Sequence, residues 1–149
     1  MASCQTTQWV SSAPYVKLTV TESASTGSTS TLSWTLQYIA SYAASTNSAR
    51  SYSVVIAGST VKSDTYNING VTGTHTIASG TKVINKTTST QSISFSVSFA
   101  FNLTWSGSYK GTLSASGSYS VPAKTSYTIK YNANGGSGAP SSQTKWKDQ

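Results

Sequence analysis

The sequence predicts an all-β fold, an antiparallel sandwich of seven or eight strands. Three observations predict it. Apolar residues recur at every second position over long stretches, the signature of a strand with one buried face. Turn-forming clusters of Ser, Thr, Gly and Asn interrupt these stretches at intervals of about ten residues, the spacing of a sandwich. Sustained 3.6-residue periodicity is absent throughout, which argues against a helical domain.

The strands follow in order. Val16, Leu18 and Val20 alternate with Lys17, Thr19 and Thr21, and a Ser/Thr/Gly turn spans 24–30. Leu32, Trp34, Leu36 and Tyr38 alternate with Ser33, Thr35 and Gln37. Residues 39–50 fit either one helical turn or a loop, with Ser, Thr and Asn favouring the loop. A strand at 51–56 is closed by Ala57-Gly58 onto 59–62. Asn69-Gly70, between Ile68 and Val71, reads as a type I′ hairpin turn, because both residue types tolerate φ > 0. Short strands at 74–77 and 81–84 flank Ala78-Ser79-Gly80, and 86–90 is a polar turn. The clearest alternation is Ile93, Phe95, Val97, Phe99, Phe101, Leu103 and Trp105, mostly separated by Ser, Asn and Thr. A turn over 105–109 leads into Tyr109, Leu113, Ala115, Tyr119 and Val121 on one parity. The expected core gathers Trp34, Leu36, Phe95, Val97 and Phe99 between two sheets of an immunoglobulin- or fibronectin-like sandwich. The expected organisation is an N-terminal arm (1–14), the sandwich (15–122), a linker (123–126) and a short separate unit (127–149).

Composition narrows the function. Ser and Thr supply about a third of the 149 residues, a large excess over average usage. Charged residues are only 9% and aromatics 11%, unlike a disordered chain. The net charge is +7, but Lys17, Lys62, Lys82, Lys86, Lys110, Lys124 and Lys130 are scattered, so no nucleic-acid-binding face is expected. Cys4 is the single cysteine, which excludes an intrachain disulfide. No signal peptide and no apolar run of about 18 residues stands out, so the expectation is cytoplasmic synthesis and no membrane insertion.

Catalytic groups are sparse. Glu22 and Asp64 are the only acids besides Asp148, and His75 is the only histidine. A glycosidase needs two carboxylates flanking one bond, and a nucleophilic Ser needs an elbow or an oriented base. No such motif is present, so no enzymatic activity, cofactor or metal site is expected. Gly135, Gly136 and Gly138 lack the Lys-Ser/Thr of a phosphate loop and suit turn chemistry instead. The sequons at Asn85 and Asn102 have no export signal to give them meaning. Aromatic residues near loops or strand ends are the candidates for ligand binding: Trp9, Tyr42, Trp105 and Tyr109. Trp34, between Leu32 and Leu36, is read as core.

Two stretches carry a resemblance. Residues 127–146, YTIKYNANGGSGAPSSQTKW, resemble the opening of the Listeria–Bacteroides surface repeat, with its Tyr-rich strand, Asn-Ala-Asn-Gly-Gly and Gly-Ala-Pro turn. Residues 15–122 are similar to β-sandwich modules of minor structural and host-specificity tail proteins of siphophages from Gram-positive hosts. YVKLTVTES, TLSWTLQY, HTIASGTKVI and the pair SISFSVSF and GTLSASGSYSVP carry that similarity. It implies a non-catalytic structural or adhesion module of a virion tail or tail tip, made in the host cytoplasm. Its partners would be other tail subunits, a host surface glycan, or further copies of itself. A carbohydrate-binding module for cell-wall glycans is the alternative. In the C-terminal unit, 127–131 is expected to be a paired strand and 132–149 to be loosely held.

Overall fold

Alternating apolar and hydroxyl side chains build two four-stranded antiparallel sheets that pack face to face in this computed structural model, which describes residues 1–129 and 143–146. The strands are β1 (Ala2–Gln5), β2 (Tyr15–Ser25), β3 (Thr29–Ala40), β4 (Arg50–Ile56), β5 (Ser59–Tyr66), β6 (Gly73–Asn85), β7 (Gln91–Trp105) and β8 (Ser108–Val121). One sheet has the order β1-β2-β3-β6 and the other β5-β4-β7-β8. The chain therefore changes sheets between β3 and β4, between β5 and β6, and between β6 and β7. No helix occurs among the described residues.

The inward face of each strand forms one continuous core. Val16, Leu18, Val20, Leu32, Trp34, Leu36 and Tyr38 come from the first sheet, and Val54, Ile56, Phe95, Val97, Phe99 and Phe101 from the second. All five residues expected at the centre, Trp34, Leu36, Phe95, Val97 and Phe99, are buried. The outward faces explain the composition. Ser63, Ser53, Ser98 and Ser114 stand in register across the second sheet, and Ser3, Thr19, Thr35 and Ser79 across the first. Ser92, Ser94 and Ser96 on β7 face Ser120, Ser118 and Ser116 on β8. The hydroxyls thus repeat about every 4.8 Å across strands and about 6.7 Å along them.

Two hairpins close as their sequences suggest. Ala57 (φ 54°) with Gly58 (φ 78°), and Ser106 (φ 50°) with Gly107 (φ 80°), have both central residues at positive φ, as a type I′ turn requires. The loop 41–49 takes the irregular alternative, tied by a bridge between Ala44 and Asn69.

Four expectations need correction. The segment expected as an arm contributes β1, an outer strand paired with β2 from Ala2↔Val20 to Gln5↔Lys17. Thr6 locks it there, its N–H donating to the Val16 carbonyl at 3.0 Å and its Oγ1 accepting from the Val16 N–H at 3.1 Å. Asn69-Gly70 is not a hairpin turn, because β5 and β6 lie in different sheets. Asn69 instead staples the crossing: its Oδ1 accepts from the Thr46 N–H at 3.0 Å, and the Gly70 N–H donates to the Ala44 carbonyl at 3.0 Å. Fully buried Ile68 plugs the sandwich at that point. The two short strands expected at 74–84 are one strand, β6, with a register shift opposite Leu36/Gln37. Finally, Tyr109 is exposed and not buried with Leu113: it stands near the hairpin tip, beyond a bulge at Asn102 (φ 48°) that shifts the β7–β8 register between Ala100 and Leu103.

Ser126–Ile129 forms β9 and pairs antiparallel with β10, Gln143–Trp146, as a separate two-stranded sheet. Pairing of the 127–129 stretch was expected, but the strand formed by 143–146 was not. The expectation for 130–142 and 147–149 lies outside the described residues.

One buried group gives the fold an alkaline limit. The Tyr38 hydroxyl is enclosed and has no hydrogen-bond partner among the described residues. Burial, with Tyr66 adding, pushes its pKa well above the ordinary tyrosine value. The unfolded chain then loses this proton first, so stability present at neutral pH falls as pH rises above about 10. Tyr38→Phe should flatten that fall and, by removing an unpaired buried hydroxyl, leave neutral-pH stability equal or higher by about 1 kcal/mol. Urea titrations between neutral pH and the alkaline limit check both expectations.

Candidate binding site at the loop end

The loops 6–14, 41–49 and 67–72 and the β7–β8 hairpin tip all lie at the end of the sandwich where β2 begins and β3 ends. A ladder of rings leads from the core to this end. Tyr38 stacks on Phe99 at 5.9 Å and meets Tyr66 at 5.9 Å. Beyond it, Phe101 receives Trp9 edge-on at 5.6 Å and Trp105 at 6.3 Å. The Trp105 Nε1–H donates to Ser12 Oγ at 3.2 Å, pinning the hairpin to the N-terminal loop. Gln8 Nε2 holds that loop from within, donating to the Ala13 carbonyl at 2.7 Å.

Of the four aromatic candidates, Trp9 and Trp105 are thus brought together around Phe101, both half-buried. Tyr109 sits on the same hairpin, 65% exposed, with its hydroxyl donating to Asn102 Oδ1 at 3.4 Å. Tyr42, 63% exposed, stands on the 41–49 loop and is in none of these ring pairs. Lys110 was not singled out by sequence. Its ammonium lies 5.5 Å from the centre of the Trp9 ring, within cation–π range. The bulge at Asn102 is the signal that could have found it, since it places Lys110 opposite Leu103. Asn is among the few residues that tolerate such a backbone.

Beside Trp9 is a hollow of about 250 Å³, lined by Thr6, Thr7, Trp9, Lys110, Thr112, Leu113 and Ser114. Its lining offers a cation, an indole, hydroxyls and one apolar floor residue. A second hollow, of about 280 Å³, lies between Ser51, Ser53, Ser63, Ser98 and Thr112 on the outer face of the β5-β4-β7-β8 sheet.

The residues considered for catalysis are each engaged elsewhere. Glu22 bonds the Ser30 hydroxyl at the β2 bulge. Asp64 accepts from the Thr65 N–H at 2.8 Å and pairs with Lys62 at 3.4 Å, and these two hold its carboxyl below the usual range. His75 Nε2 lies at 2.5 Å from the Thr72 carbonyl oxygen. Among the described residues, no three His, Cys, Asp or Glu side chains converge in a way that could hold a metal ion.

No protein-family model matches the chain, and neither a curated protein nor a solved structure is similar enough to it to count as a match. The fold and the loop-end geometry therefore stand on the chain's own residues.

Proposed function

We propose that this chain is a non-catalytic structural and adhesion module of a virion tail or tail tip, and that it attaches to the host surface through its loop end. The observation that carries the reading is the convergence of Trp9, Trp105 and Lys110 beside an open hollow at one end of a rigid sandwich. Binding residues are commonly carried by loops on such a scaffold. The virion setting comes from the resemblance of 15–122 to siphophage tail modules and of 127–146 to a surface repeat. The strand order supports an immunoglobulin- or fibronectin-like reading: β2, β3 and β6 stand as strands A, B and E, and β5, β4, β7 and β8 as C′, C, F and G. β1 is then an added outer strand. The alternative, a carbohydrate-binding module, is favoured by the same hollow, whose hydroxyls and indole are groups that suit a sugar.

Immunogold labelling of virions with antibody to this chain tests the setting. Gold confined to the tail or its tip is expected, and virions that carry no label while containing intact tails would contradict the proposal.

A further inference from the structure

We infer that the hollow beside Trp9 binds one sugar unit bearing an oxyanion, a carboxylate or a phosphate, with Lys110 as its counter-charge. This rests on the attachment reading above and names the chemistry of its ligand.

The size and the lining both lead there. A volume of about 250 Å³ lies below the range of roughly 300–1,000 Å³ typical of drug-sized ligands, so it suits one ring of a longer glycan. The charged group in the lining is a cation. Lys110 has no acidic partner among the described residues: Asp64 is paired with Lys62, and Glu22 is engaged with Ser30 at the β2 bulge, near the opposite end of the sandwich. The Trp9 ring holds the ammonium at 5.5 Å, fixing the charge in place without neutralising it. Thr7, Thr112 and Ser114 line the same hollow, and their hydroxyls suit the neutral positions of a sugar. A lining rich in donors around one cation favours an acceptor-rich anion over a neutral or cationic ligand.

The test is calorimetric titration of the full chain with three probes: a uronic-acid oligosaccharide, a sugar-phosphate polymer, and a neutral oligosaccharide of matched length. Each is repeated on Lys110→Gln, Lys110→Arg and, as a charge-matched control outside the lining of the hollow, Lys17→Gln. At least one anionic probe is expected to bind at least tenfold more tightly than the neutral one. Lys110→Gln should abolish that preference, Lys110→Arg should retain most of it, and Lys17→Gln should leave it unchanged. Whichever anionic probe binds identifies the source of the oxyanion. Equal affinity for neutral and anionic probes would overturn the inference while leaving attachment standing. So would an equal loss in Lys110→Gln and Lys17→Gln, which would reduce the effect to net charge. Failure of all three probes, with the chain still retained by whole cell walls, would overturn the assignment of the hollow. Failure of both would remove the attachment reading as well.

Discussion

Phe99→Ala is expected to destabilise the sandwich by about 3–5 kcal/mol, the range for emptying a buried aromatic site. Phe99 is fully buried, stacks on Tyr38 at 5.9 Å and stands between Tyr52 on β4 and Leu113 on β8. Its neighbours belong to strands paired along most of their length, so they have little freedom to collapse into the space. Stability of a domain is typically about 5–15 kcal/mol, so the loss is a large fraction of the whole. Phe95→Ala should fall in the same range, because Phe95 is also enclosed. Phe99→Leu keeps most of the volume and should lose much less. Urea midpoints at constant m-value measure all three. A midpoint for Phe99→Ala equal to that of the unaltered chain would mean that this face of β7 is not in the core.

The second large effect is Gly117→Val. By strand propensity this change should help, since Val suits a strand and Gly weakens one. Packing decides otherwise. Gly117 pairs with Phe95, and a Cβ at position 117 would lie 2.8 Å from the ring's Cζ. The ring therefore uses the missing side chain as its seat, and a branched residue would force it off its rotamer. A loss of about 1–3 kcal/mol is expected. Ser118→Val, one position along on the outer face, also raises strand propensity, without the clash, and should be near neutral. Combining Gly117→Val with Phe95→Leu should cost less than the sum of the two, because the residues share one contact. If Gly117→Val raised the thermal midpoint, the ring would have to lie elsewhere. Gly80 beneath Trp34, with a Cβ 3.0 Å from Cζ2, is a second case of the same device.

Period-2 patterning carried most of the fold. Leu32, Trp34, Leu36 and Tyr38, and Ile93 through Phe99, needed only their own alternation to be placed inside. Pairing between distant strands was not legible, and the misreading of Asn69-Gly70 came from there. Asn69-Gly70 has hairpin chemistry, yet the chain crosses sheets at that point because β6 pairs with β3. Residues 2–5 do alternate, with Ala2 and Cys4 half-buried against the core and Ser3 and Gln5 exposed, but two small residues in a four-residue run are too weak a signal to mark a strand. At the candidate site, the loop-end aromatics were visible as types and positions. Their convergence was not, because it depends on Phe101 seating Trp9 and on one extra residue at Asn102 re-aiming the hairpin. Tyr42 shared the same local appearance and stands exposed on the 41–49 loop.

The most direct test of attachment through the loop end is retention of the purified chain on isolated Gram-positive cell walls. Tyr109→Ser and Lys110→Gln alter exposed or half-exposed groups at that end, whereas Ser96→Ala and Ser116→Ala alter the outer face of the second sheet. Retention of the unaltered chain is expected, with a loss of at least tenfold when Tyr109→Ser and Lys110→Gln are combined and no change in the two serine variants. Retention that survives the combined loop-end change, or that fails in the serine variants instead, would place the contact surface elsewhere on the sandwich and contradict attachment through this end.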